Sequence, residues 1–408
     1  MAETSFPKSS IKVLLLENVH PVAKEAFAAE GYQVETVKGA LSETELAAKV
    51  RDVHLLGIRS KTQVTQKVLD EGRRLLAVGA FCIGTNQIDL VHSNKRGVPA
   101  FNAPFSNTRS VAELILAEIV MLSRQLGDRL REVHSGQWRK LSIGSHEVRG
   151  HTLGIVGYGH IGSQIGVLAE GFGMRVVFYD IAAKLPMGNN RSMSKLEDLL
   201  AESDFVTLHV PETPQTKNMI GHAELAHMKP GACLLNASRG TVVVIDALAA
   251  ALQSGHVGGA AVDVYPTEPE GNSDGFETAL RNLPNVILTP HIGGSTEEAQ
   301  EAIGKEVSAS LLKYVNNGAT TGAVNFPQVE LALAKGAHRI LNIHRNVPGV
   351  LRDINKIVSD RNANIRAQML STDSEVGYLI MDLDQGVSGD VKQAISELPT
   401  SIKTRILF

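Results

Sequence analysis

Cysteine is nearly absent from this chain: Cys82 and Cys233 are the only two among 408 residues. They stand far apart and form no Cys-x-x-Cys pair, so neither a disulfide framework nor a thiolate metal site is expected, which fits a reducing cytosol. An excess of charge is missing too, since 40 basic side chains face 43 acidic ones for a formal net charge of −3. That balance gives no electrostatic footprint for nucleic acid or for an anionic membrane surface. Any anionic ligand must therefore be met by a local basic cluster. Long apolar runs are also lacking. The N-terminal run from Val13 to Leu16 is too short for a signal-peptide core, and nothing elsewhere approaches a membrane span. A soluble, cytoplasmic protein with no nucleic-acid or membrane partner is expected. What the chain does have is 43 % apolar and 20 % charged residues, enough for a packed core throughout, and a length that suggests two or three domains.

Short apolar runs alternate with helix-like stretches from the start. IKVLLLEN (11–18) reads as a buried strand, PVAKEAFAAEG (21–31) as a helix ended by Gly31, and YQVETV (32–37) as the next strand. SETELAAKV (42–50), HLLGIRS (54–60) and LLAVGAF (75–81) continue the pattern. This alternation predicts a parallel sheet covered on both faces. A long helix over 106–125, capped by Ser110 or a neighbour, has so broad an apolar surface that it should be buried between domains or subunits. A second strand-helix series runs from 152 to 290, and another helix covers 297–318. The stretch 320–338 has no clear period and reads as a linker. The tail then gives strand, helix, strand, strand, helix, strand over 339–408, the ferredoxin-like order of a separate domain.

Gly157-Tyr-Gly159-His160-Ile161-Gly162 follows the apolar strand Leu153 to Val156 and opens a helix. The next strand ends at Asp180. In that context the three glycines serve a tight turn, close approach of backbone to a pyrophosphate, and helix-strand packing. Asp180 would accept hydrogen bonds from ribose hydroxyls and repel a 2′-phosphate, favouring NAD over NADP. Histidines elsewhere compete poorly as ligands. His222 and His227 in GHAELAH lie five apart, ~140° around a helix, so they do not share one face, and no metal site stands out.

Three further strand ends carry Arg239 (in Asn-Ala237-Ser238-Arg-Gly), Glu268 (shortly after Asp263) and His291 (in Pro-His-Ile-Gly293-Gly294). In a doubly wound sheet ligands bind beyond the carboxyl ends of the strands. Arg239 could grip a carboxylate or keto oxygen through its planar fork, although alone it reads equally well as a surface arginine. An alcohol oxidation needs a base for the hydroxyl proton as hydride leaves carbon, and histidine titrates nearest neutrality. A neighbouring carboxylate would fix its tautomer and raise its pKa.

The glycine fingerprint, Ala237-Ser238-Arg239-Gly240, Glu268 and Pro290-His291-Ile-Gly293-Gly294 together resemble the D-isomer-specific 2-hydroxyacid dehydrogenases. With the tail included, the likeness covers nearly the whole chain. It implies roles for Arg239 in substrate orientation, Glu268 as histidine partner and His291 in acid-base catalysis. It also implies NAD contacts at Gly157, Gly159, His160, Ile161, Gly162, Asp180, Ala237, Ser238, Arg239, Asp263, His291, Gly293 and Gly294. The layout it implies is a substrate domain over 1–105 and again over 296–330, where a linker begins, with a Rossmann domain over 106–295.

Arg59, Ser60 and Lys61 end an early strand, and Lys140 follows Trp138 in a loop; these cations exceed what a small neutral hydroxyacid needs and could hold a phosphate. With Asn107 they resemble the phosphate-binding positions of the members that oxidise 3-phospho-D-glycerate at the start of serine synthesis. Lys61 departs from an arginine found in relatives, keeping charge but losing bidentate geometry. The tail, 337–408, looks like an ACT domain. By that likeness His344, Asn346 and Asn364 would contact L-serine as effector, in a homo-oligomer taken to be a tetramer, and 2-oxoglutarate would be a side substrate for reduction. A glyoxylate or hydroxypyruvate reductase, a non-catalytic NAD-sensing scaffold, and a purely structural tail remain the alternatives.

Overall fold

The structure, a computed structural model, describes residues 5–269, 275–334 and 336–408. The chain is α/β and divides into two units, Met1–Ser106 with Gln300–Phe408, and Asn107–Ala299. Five parallel strands open the first unit: β1 (Lys12–Leu15), β2 (Gln33–Thr36), β3 (Leu55–Ile58), β4 (Ala77–Ala80) and β5 (Ala100–Phe101). Their order is β2-β1-β3-β4-β5, with Val13 beside Val34 on one side and Leu55 on the other. β3 and β4 are buried at every position, so they appear in the sequence as unbroken apolar runs rather than alternating ones. Local chemistry sets the helix ends. Pro21 stands at the start of Pro21–Ala29, where its missing N–H has no intrahelical partner to lose. Ser42 and Glu45 cap Glu43–Lys49 reciprocally.

The second unit holds a seven-stranded parallel sheet: β6 (Thr152–Val156), β7 (Arg175–Tyr179), β8 (Arg191–Ser192), β9 (Phe205–Leu208), β10 (Cys233–Asn236), β11 (Gly259–Val262) and β12 (Val286–Leu288). The order β12-β11-β10-β9-β6-β7-β8 reverses direction between β6 and β9, and the crevice at such a switch point is where this architecture binds ligands. The helix Thr108–Ser123 buries Val111, Ala112, Ile115, Leu116, Ile119 and Leu122 against this sheet and the helix His160–Gly171. Its N-cap is Asn107, which makes no side-chain cap, while Ser110 pairs with Thr296 at 2.8 Å instead of capping.

The chain returns to the first unit along the helix Glu297–Asn317. Ile303, Val307, Leu311 and Tyr314 of this helix share a core with Val13, Leu15, Phe27 and Phe101. The following stretch, expected to be a linker, is tied down. Thr320 Oγ1 donates to Pro327 O at 2.7 Å and accepts from Val329 N at 2.9 Å. Asn325 Oδ1 accepts from Ala100 N at 2.8 Å, and Ala323 bridges to Phe101. Side chains make most of these ties, so no periodicity announces them.

The tail forms β13 (His338–Arg345), β14 (Ile365–Thr372), β15 (Val376–Leu383) and β16 (Ser401–Leu407), antiparallel in the order β14-β15-β13-β16. One face packs Ile340, Leu379 and Met381 on the helices Val350–Asp360 and Ser388–Ser396. The opposite face sends Leu341, Ile343, Tyr378 and Ile380 into the core of the first unit. Arg339 and Asp382, each 2 % exposed, form a bidentate pair at 2.7 and 2.8 Å. The same guanidinium donates to the carbonyls of Asn317, Leu331 and Ala332, so every face of it is used.

Candidate active site

β6 is followed by Gly157, whose φ of +93° turns the chain sharply; a Cβ there would lie 2.5 Å from His209 O. At Gly162 a Cβ would lie 2.3 Å from Gly157 O, so helix and strand could not close together. Gly159 differs: a Cβ would meet nothing within 4 Å, leaving the mouth of the turn open. Gly159 is the N-cap of His160–Gly171 and makes no side-chain cap. Asp180, just past β7, accepts from Tyr158 N at 2.8 Å and Ala182 N at 2.9 Å. An open glycine mouth, an uncapped helix N-terminus and a carboxylate bound to the same turn fit a dinucleotide.

The loops after β10, β11 and β12 bring the remaining groups together. Arg239 leaves a loop braced by Asn236, whose amide donates to Arg239 O and whose Oδ1 accepts from Ser238. Gly240 lies against the backbone of Tyr265 and Pro266, too close for any Cβ, which fixes the Arg239 loop beside the Glu268 loop. Tyr265 OH donates to Val262 O and Thr289 O at 2.8 and 3.1 Å, stitching the second loop to the third. His291 Nδ1 then meets Glu268 Oε2 at 2.8 Å.

Asp263, 2 % exposed, is the clamp of this arrangement. Its carboxylate accepts from Ile292 N and Gly293 N, both at 2.8 Å, and from Thr289 Oγ1 at 2.6 Å, while its own carbonyl takes His291 N at 2.8 Å. A Cβ on Gly294 would lie 2.3 Å from Asn107 Nδ2. The hydrogen bond from His291 to Glu268 raises the His291 pKa despite burial, and the charge of Asp263 adds to it while Arg239 opposes it. Burial works against the Glu268 charge, but His291, Tyr265 N and Arg239 outweigh it and hold that pKa low. The result is a carboxylate that stays ionised beside an imidazole able to take up a proton.

The remaining expected residues are carried by other segments. The Asn107 amide lies against Gly294, and among the described residues its buried Oδ1 has no hydrogen-bond partner. Lys140 lies on the exposed loop after the helix Leu126–His134. Arg59, Ser60 and Lys61 follow β3 in the first unit. In the tail His344 is 3 % exposed on β13, held by Asn342 Oδ1 at 2.9 Å, and Asn346 donates to Asp373 O at 2.6 Å. Asn364 does not reach them within one chain. It precedes β14 at the end paired with Leu383, whereas His344 pairs with Gly377, which faces Thr372 at the far end of that strand. β15 also lies between β13 and β14.

Sequence reasoning missed Glu118, a buried acid on the apolar side of Thr108–Ser123. The available signal was a lone carboxylate within the apolar run Leu114 to Leu122. Among the described residues no cluster of three or more His, Cys, Asp or Glu could hold a metal, and no helix is long and apolar enough to cross a membrane.

Residues 116–293 match the family described as D-isomer specific 2-hydroxyacid dehydrogenase, NAD binding domain, and residues 340–403 match the AHAS small subunit-like ACT domain. The chain is 58 % identical to D-3-phosphoglycerate dehydrogenase of Dictyostelium discoideum over 99 % of each protein. It is 52 % identical to D-3-phosphoglycerate dehydrogenase of Escherichia coli strain K12 over 100 % of each. Among solved structures, D-lactate dehydrogenase from Aquifex aeolicus complexed with NAD and lactic acid superposes with a TM-score of 0.65 at 29 % identity, covering 74 % of this chain and 95 % of that one. With an open glycine turn, a clamped histidine and its carboxylate on this sheet, and end-to-end likeness to such relatives, the chain belongs to the D-isomer-specific 2-hydroxyacid dehydrogenase family, among its D-3-phosphoglycerate dehydrogenases.

Proposed function

We propose that this chain oxidises 3-phospho-D-glycerate to 3-phosphohydroxypyruvate with NAD, the first step of L-serine synthesis, and is inhibited by L-serine at its C-terminal sheet. The observation that carries the catalytic reading is the 2.8 Å His291–Glu268 pair on a loop clamped by Asp263. NAD, when bound at the Gly157–Gly162 turn, supplies the hydride acceptor. His291 takes the C2 hydroxyl proton through Nε2, because Nδ1 faces Glu268. Glu268 fixes that tautomer and stabilises the imidazolium that forms. Arg239 holds the carboxylate and the developing keto oxygen. Arg59 and Lys61 take the phosphate by charge. Ser60 and Asn107 join them as substrate contacts, and Lys140 has the weaker claim of an exposed loop cation.

In the tail, His344 and Asn346 stand at one end of the sheet and Asn364 at the other, so an effector site using all three needs two copies of the chain. That supports a homo-oligomer, for which we propose a tetramer in the cytosol. Both cysteines are free thiols, in keeping with a reducing compartment.

Turnover of 3-phosphoglycerate and of glycerate with NAD, with and without L-serine, tests this reading. Preference for the phosphorylated acid and loss of rate with serine are expected. Equal use of glycerate would favour a hydroxypyruvate reductase, and NADH binding without turnover would favour a scaffold. Oxidation should rise with pH as His291 loses its proton. Glu268→Gln removes the main cause that raises this pKa, so the rising limb should move to lower pH. His291→Ala should lower kcat by about 10²–10⁴-fold. An unchanged rate in His291→Ala would remove the assignment.

A further inference from the structure

The loop that reads phosphate in this proposal, residues 59–62, is built on a carboxylate from a neighbouring strand end. Glu17 follows β1, which pairs directly with β3. It is 8 % exposed. Its Oε1 accepts from Arg59 N at 3.1 Å and Thr62 N at 2.9 Å, and its Oε2 accepts from Lys61 N at 2.9 Å. From the other side Gln87 Nε2 donates to Arg59 O at 2.7 Å. The loop is thus gripped through both its amides and a carbonyl.

The backbone at Glu17 is itself unusual. Glu17 and Asn18 have φ of 60° and 54°, and a residue such as glutamate stays in the left-handed region only where its surroundings hold it there. Here the ties are Glu17 N to Gly39 O at 3.1 Å and Asn18 N to Val37 O at 3.4 Å. That turn aims the carboxyl across the end of the sheet at the loop after β3.

Successive amides in a tight loop would otherwise form a cradle for an anion. Three of the four amides from 59 to 62 are instead turned to a protein carboxylate, which excludes them from contact with phosphate and places negative charge behind the loop. We infer that Glu17 is a positioning residue for phosphate recognition: it takes up the loop's own amide donors and fixes the backbone from which Arg59 and Lys61 reach the phosphoryl group. The loop therefore recognises phosphate chiefly by side-chain charge, with Ser60 N–H the one amide of the four outside the grip of Glu17. This rests on the proposed phosphate role of Arg59 and Lys61.

The test is steady-state kinetics of the full chain carrying Glu17→Gln, which keeps the shape but offers N–H where two of the three amides or the third need an acceptor. KM for 3-phosphoglycerate should rise about tenfold, the scale of losing a charge-assisted hydrogen bond, with kcat and KM for NAD nearly unchanged. Arg59→Ala runs beside it. A raised KM in Arg59→Ala with none in Glu17→Gln overturns the inference and leaves the phosphate reading intact; no change in Arg59→Ala overturns that reading itself. A fall in kcat, or a parallel loss of NAD affinity, makes Glu17 merely structural and also overturns the inference. If Glu17→Gln does not fold, Gln87→Leu loosens the same loop from its carbonyl side. It should show the same split between KM and kcat with a smaller rise, and an unchanged KM there is the overturning result.

Discussion

His291 sits at φ 55°, in the left-handed region that histidine visits more readily than most non-glycine residues. The conformation is stabilised by four hydrogen bonds to Asp263 from Thr289, His291, Ile292 and Gly293. Two further glycine-like constraints on this loop are steric, since neither Gly293 nor Gly294 has free room for a side chain. Beneath it Glu118 is 2 % exposed, and burial, then the charge of Asp263, pushes its pKa up to about 8. A carboxyl raised in this way stays protonated in the folded chain while the unfolded chain releases its proton near the ordinary 4.5. Folding stability therefore falls as pH climbs from about 4.5 to about 8, by up to several kcal/mol. Glu118→Gln, uncharged throughout, should flatten that slope in urea midpoints taken at pH 5 and pH 8. An undiminished slope would mean that Glu118 is ionised in the folded protein.

At the scale of elements, β6, β10 and β11 were readable because burial on both faces makes them apolar runs, and Gly157 to Gly162 follows the first of them. The segment 320–338 was not readable, because Thr320 and Asn325 satisfy its backbone with side chains and leave no period. The pair Arg339–Asp382 fastens this segment to β13 and β15. Removing one partner leaves the other charge buried, so Asp382→Ala should cost about 3–5 kcal/mol. Replacing both with leucine should restore much of that loss. Thermal unfolding of the two variants decides it: equal destabilisation would mean that packing volume, not an orphaned charge, sets the cost.

For the whole molecule, the tail's sheet is part of the first unit's core through Leu341, Ile343, Tyr378 and Ile380. A chain stopped near residue 330 would expose those partners, so truncation is a poor probe of regulation. Mixed oligomers are a better one. β14 is eight residues long, roughly 25 Å of strand, which separates Asn364 from His344 within one chain. If a site takes His344 from one copy and Asn364 from another, His344→Ala and Asn364→Ala should each lose L-serine binding. In a two-fold dimer built from one of each variant, one site carries both changes and the other neither, so calorimetry should recover about half the sites. No recovery would place the whole site within one chain.

The sequence alone marked out most strands and helices in their order, the glycine turn with Asp180, and Arg239, Glu268 and His291 as candidates. These are local patterns: periodicity, punctuation by glycine and proline, and polar residues just past apolar runs. Only the tertiary structure decided that Asp263 clamps the histidine loop, that Glu17 grips the loop from 59 to 62, and that Asn364 lies a strand's length from His344. Each of those depends on which strands become neighbours and in which register, and contacts between residues far apart along the chain leave no period in it.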